Sequence, residues 1–136
     1  MKQTQNKFNN GFSLVEVLAA VGIIGIIAFL AIPNIVEIKR DSERSLAITR
    51  AEGINMGVAS YIQANGRDAV ANEWAGLNPN QRYERIRPFL SFAPTGLDDF
   101  QPSGFVITPP EDLRNLNKSL LHTGDDSTID ENRIFY

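Results

Sequence analysis

The sequence predicts an α+β chain: a long N-terminal α-helix, then a small C-terminal head of short helices and a small antiparallel sheet. Three observations carry that expectation. The 21 residues from Phe12 to Ile32 contain only two polar side chains, Ser13 and Glu16. Beyond Pro33, Ala47, Ala51, Ile54, Val58 and Tyr61 recur at steps of four and three, the period of one helix face. Phe105-Val106-Ile107-Thr108, closed by Pro109 and Pro110, and the final Arg133-Ile134-Phe135-Tyr136 read as short strands.

Composition narrows the functions open to the chain. Its 136 residues suit one compact domain plus an anchor. The formal net charge is -3, and losing Lys2 and Lys7 with a leader would leave -5. With no run of Lys or Arg, the chain offers no basic face for nucleic acid. There is no cysteine, so disulfides, thiolate metal sites and a cysteine nucleophile are excluded. The single histidine, His122, cannot by itself build a histidine metal centre, and in SLLHTG it reads as a surface or packing residue. No phosphate-binding glycine loop, nucleophile elbow or metal-ligand pair at helical spacing is present.

Taken in chain order, residues 1–11 form a short polar leader whose two lysines favour a cytoplasmic N-terminus. The apolar run 12–33 follows, and at about 1.5 Å per residue a helix of this length reaches roughly 30 Å, enough to cross a bilayer. A cleaved secretory signal is a poorer fit. A cut after Ala31 would put bulky Phe29 at a position that wants a small residue. Glycines 22 and 25 are three apart, unlike the four-spaced pair of helix dimers. Pro33 removes one backbone donor and predicts a kink in a helix that otherwise continues to Ala64.

Residues 34–136 form the exported head, beginning with the amphipathic half of the helix. Glu43, Arg50, Glu52, Asn55 and Gln63 are expected opposite its apolar stripe, and Asn65-Gly66 is its stop signal. The charges at 39–41, 43 and 44 read as a solvated cluster. A short helix is expected over 67–75 with Trp74 buried, and Asn78-Pro79 should cap a second one carrying Tyr83, Ile86 and Leu90 on one face. The stretch SFAPTGLDDFQPSG predicts a surface loop. Residues 111–121 suit either a helix, through Leu113, Leu116 and Leu120, or a strand towards Thr123.

The stretch G-F-S-L-V-E, followed by an apolar run ending in Pro33, resembles the processing motif of type IV pilins and pseudopilins. The resemblance covers about the first quarter of the chain. It implies that a prepilin peptidase cuts after Gly11 and that Phe12 becomes the methylated first residue. Glu16 would be the family's buried glutamate, and Pro33 would lie where the family helix often bends. A carboxylate in hydrocarbon is costly unless paired. In this picture Glu16 pairs with the new amine of Phe12 on an adjacent subunit and so rewards correct assembly.

The resemblance implies a subunit of a type IV pilus-like filament, or alternatively a type II secretion pseudopilin. Its partners would be copies of itself and related subunits, the prepilin peptidase, membrane lipid before assembly, and an inner-membrane platform with an ATPase. It would sit in the inner membrane with its head outside, then in a periplasmic or cell-surface filament. A monomeric membrane-tethered binding module is the alternative from a different class. An enzyme is not expected, nor is a cofactor. The one metal candidate is the acidic turn TGDDSTIDEN, where Asp125, Asp126 and Asp130 could supply oxygen ligands to calcium. A solvated turn is the plainer reading of the same residues.

Overall fold

A computed structural model describes residues 11–115, 117–124 and 130–136, with the backbone alone for Asp130. The chain divides into two compact units, Met1–Lys39 and Arg40–Tyr136. Helix α1 occupies Leu14–Asn65, 52 residues with Pro33 inside. Its end is set by Gly66, whose φ of 84° lies in the left-handed region open to glycine. The Gly66 N–H donates to the Ile62 carbonyl at 2.9 Å and closes the last turn.

Within the first unit every described residue is exposed except Ala31, which is half-buried. Nothing in this unit covers the apolar side chains from Phe12 to Ile32. Such a surface calls for lipid or another protein.

The second unit has its own core. Ala47, Ala51, Ile54, Val58 and Tyr61 are all buried, as their spacing predicts. Helix α2, Arg67–Trp74, buries Trp74 against Tyr61, with ring centroids 6.0 Å apart. The Trp74 indole N–H donates to the Pro110 carbonyl at 2.7 Å, so the buried ring keeps its polar atom satisfied. Helix α3, Pro79–Ile86, starts with a capping box in which Asn78 and Gln81 each accept the other's backbone N–H, at 2.9 and 3.0 Å. Tyr83 and Ile86 face the core, and Leu90 packs against it after a 3₁₀ turn at Arg87–Phe89.

Two expectations are corrected here. The expected surface loop contains a single-turn helix, α4, Leu97–Phe100, with Leu97 and Phe100 buried. Its two apolar residues are three apart and meet the core through one turn, too short for a periodic signal. The predicted C-terminal strand is reduced to one bridge, between Arg133 and His122. A 3₁₀ turn at Asp130–Asn132 precedes that bridge, and Ile134 then turns inward, its N–H donating to the Leu121 carbonyl at 2.7 Å.

The sheet proper has two antiparallel strands, β1 (Phe105–Thr108) and β2 (Leu120–Thr123), with Val106 opposite His122. The ambiguous segment before β2 is not a helix where it is described. The Asp112 carboxylate takes the Arg114 backbone N–H at 2.8 Å and the Asn115 amide at 2.7 Å, a local turn that competes with helical bonding. Leu113 is buried, while Leu116 lies outside the described residues. His122 is only 1% exposed and serves as a packing residue.

Candidate functional site

The site predicted from the sequence lies at the start of α1. Gly11 is exposed, and a Cβ added there would meet nothing within 4 Å. Phe12 beside it is 89% exposed. Ser13 is the N-cap of the helix, and here the structure adds a relationship that the sequence reading missed. The Glu16 backbone N–H donates to Ser13 Oγ at 3.2 Å, and the Ser13 N–H donates to Glu16 Oε2 at 2.8 Å. Two of the helix's first N–H groups, left without intrahelical partners, are thus satisfied reciprocally. The signal was present in the sequence as S-x-x-E just ahead of an apolar run.

Glu16 therefore has a local role besides any partner it finds in an assembly. Its carboxylate sits in the first turn, where negative charge is favoured by the helix dipole. The stem offers it no basic side chain, since no Lys, Arg or His occurs between Lys7 and Lys39. Pro33, at the other end of the apolar run, lies within α1 and has no N–H to give the Phe29 carbonyl. The window of highest hydropathy in this helix averages 2.7, and none of it is buried.

The acidic turn cannot be joined to this picture. Asp125 and Asp126 lie outside the described residues, as does the side chain of Asp130. Among the described residues no three Asp, Glu or His side chains cluster as a metal would need.

The geometry is thus a capped helix start leading into an exposed apolar run, ahead in sequence of a small α+β head. Comparison with known proteins finds partial likenesses. Residues 6–32 match the family described as "Prokaryotic N-terminal methylation motif". The chain is 36% identical over 69 residues to the "Type IV major pilin protein PilA" of Myxococcus xanthus, covering 50% of this chain and 31% of that one. It is 32% identical over 72 residues to the "Type IV major pilin protein PilE1" of Neisseria gonorrhoeae, covering 53% and 44%. A "Fimbrial protein" of Neisseria meningitidis serogroup B is 33% identical over 73 residues, covering 54% and 39%. The chain thus spans less than half the length of each of these curated relatives. No solved structure matches it. These likenesses are partial: the motif takes in residues 6–32, and each alignment takes in about half of this chain.

Proposed function

We propose that this protein is a subunit of a type IV pilus-like filament. A prepilin peptidase removes residues 1–11, and Phe12 becomes the methylated N-terminus. The apolar stem first holds the subunit in the inner membrane, with the head outside, and then packs among other stems in a filament core. The observation that carries this reading is the stem itself: a helix with an exposed apolar surface all round, lying within the stretch that matches the methylation motif. Lipid and neighbouring stems are the two surroundings that satisfy such a surface, and moving from one to the other needs little change in apolar contact.

Glu16 gives the filament its register in this proposal. In a hydrocarbon-like core its carboxylate is costly alone and much less so opposite the amine of a neighbouring Phe12. The platform, its ATPase and related subunits are partners in assembly, and the role needs no cofactor. That the relatives are named pilins and fimbrial proteins favours a pilus over a secretion pseudopilus.

Mass spectrometry of the mature protein tests the proposal. A chain beginning at methylated Phe12 is expected. A mature chain that still carries Met1 to Gly11, or one cut near Ala31, overturns it.

A further inference from the structure

We infer that the outer edge of β1 is closed to strand addition, and that Gln101 is the residue that closes it. Among the described residues, β1 has a neighbour on one side only, β2. An open edge presents N–H and C=O groups to any extended chain that comes near. Phe105-Val106-Ile107-Thr108 is apolar, rich in β-branched residues and uncharged, the kind of edge that invites such pairing.

Register decides which backbone groups face outward. The Gly124 N–H donates to the Gly104 carbonyl at 2.9 Å, just before the first ladder pair, Phe105 with Thr123. Hydrogen-bonded and non-hydrogen-bonded pairs alternate along an antiparallel ladder. Val106 with His122 and Thr108 with Leu120 are therefore the pairs that bond across the sheet. Phe105 and Ile107 turn their N–H groups away from β2, and the next residue in that phase is Pro109. β2 keeps the same phase: the Leu121 carbonyl faces outward and takes the Ile134 N–H at 2.7 Å.

No outward position on β1 has a donor left to offer. The Phe105 N–H donates to the Pro102 carbonyl at 3.1 Å. The Ile107 N–H donates to Gln101 Oε1 at 2.6 Å. Pro109 has no N–H at all. Of these closures only the one at Ile107 is made by a side chain, and that side chain is itself held in place. Gln101 is the C-terminal cap of α4, and its Nε2 donates to Asp98 Oδ1 at 3.2 Å. An ionised carboxylate can only accept, so Asp98 fixes the amide with its nitrogen towards α4 and its oxygen towards the strand.

The turn between α4 and β1 does not need this bond to form. The Gln101 N–H already donates to the Leu97 carbonyl at 3.1 Å, and Gly104, with φ of 79°, supplies the left-handed residue before the strand. What the Gln101 side chain adds is cover for the central donor of an otherwise open edge. The strand it keeps out is one of the same sequence. Two β1 edges related by a two-fold axis would pair antiparallel through the outward groups of Phe105 and Ile107. The inference holds whether or not the chain enters a filament, because the edge and its cover belong to a single head.

Size-exclusion chromatography with light scattering, on the detergent-solubilised full chain, tests it beside amide exchange at Ile107. Gln101→Ala should pass with time into oligomers that bind thioflavin, while the unaltered chain stays monomeric. The Ile107 amide should exchange roughly tenfold faster in the dilute Gln101→Ala monomer, the loss of one hydrogen bond, and be protected again in the oligomer. The double variant Asp98→Asn with Gln101→Glu reverses donor and acceptor between the two side chains and keeps an oxygen for Ile107. It should remain monomeric. Val70→Ala, a core truncation on α2, should melt lower without forming these oligomers. If Gln101→Ala does not fold, Asp98→Ala carries the test, because it keeps Gln101 and releases its amide: faster exchange at Ile107 and slower growth of the same oligomers are expected. A Gln101→Ala chain as monomeric as the unaltered one would overturn the inference. So would equal association of Val70→Ala or of the double variant, and so would Asp98→Ala with exchange unchanged at Ile107.

Discussion

The side-chain oxygen of Asn55 accepts both the backbone N–H and the hydroxyl of Ser119, each at 2.8 Å. Sequence spacing sets Asn55 on the solvent side of α1, but it is half-buried and its amide nitrogen donates to the Tyr136 hydroxyl at 3.2 Å. The same hydroxyl donates to the Ser119 carbonyl at 2.7 Å. One side chain on the helix thus ties down the entry to β2 and the last residue.

Truncating Asn55 should therefore destabilise the head. Asn55→Ala leaves the Ser119 donors without their acceptor, which costs about 1–3 kcal/mol. Thermal melting of the detergent-solubilised chain should show a drop of several degrees, roughly 2–8 °C per kcal/mol for a head of this size. An unchanged melt would mean that water replaces the amide at no cost.

Gly53 and Gly57 should respond in opposite directions to larger side chains. Gly53→Ala meets open space and gains helix propensity, raising stability by about 0.5–1 kcal/mol. Gly57→Val drives two methyl groups at Leu90 and Ile86 and should cost about 1–3 kcal/mol. Urea denaturation of the two variants side by side checks the contrast.

Glu16 has two roles that substitution can separate. Glu16→Gln keeps an oxygen for the Ser13 N–H but removes the charge, whereas Ser13→Ala removes the hydroxyl of the cap and keeps the charge. If charge pairing drives assembly, Glu16→Gln is cleaved and exported yet fails to enter filaments, while Ser13→Ala assembles. Ser13→Ala should cost only helix-end stability, about 0.5–2 kcal/mol. Filament yield by sedimentation and cleavage by immunoblot read the two effects. Equal loss of filaments in both variants would assign Glu16 to capping alone.

The head should weaken in alkali. Burial, first among the causes, raises the pKa of both Tyr83 and Tyr136 above the ordinary tyrosine value of about 10. A raised folded pKa means that the native state holds the proton more tightly than the unfolded chain does. The stability contributed by these phenols is thus complete below about pH 10 and is lost as pH rises through their folded values. Tyr83 also donates to the Pro94 carbonyl at 3.0 Å, a bond that ends on ionisation. Denaturant midpoints should hold up to about pH 10 and fall above it, and fall less in Tyr83→Phe.

What the sequence determined by itself was whatever depends on neighbours along the chain. The apolar stem, the stripe from Ala47 to Tyr61, the stop at Gly66 and the cap at Asn78-Pro79 all follow from period or from the conformational limits of single residues. The Ser13–Glu16 box was equally local, legible in S-x-x-E, and simply lay beneath the stronger signal of a charge in an apolar run. Tertiary structure alone decided the rest. Asn55 turns inward because Ser119, 64 residues away, supplies its donors, and no spacing within α1 encodes that. Leu97 and Phe100 are buried because the core lies beside a turn that looks polar on its own. Exposed Arg133, buried Ile134 and exposed Phe135 keep the alternation that reads as a strand, but only the tertiary partner decides how much of it pairs, here one bridge to His122. In each case a distant contact outweighed a local preference, since burying a side chain or satisfying a buried donor is worth more than the few tenths of a kcal/mol by which neighbours bias a single residue.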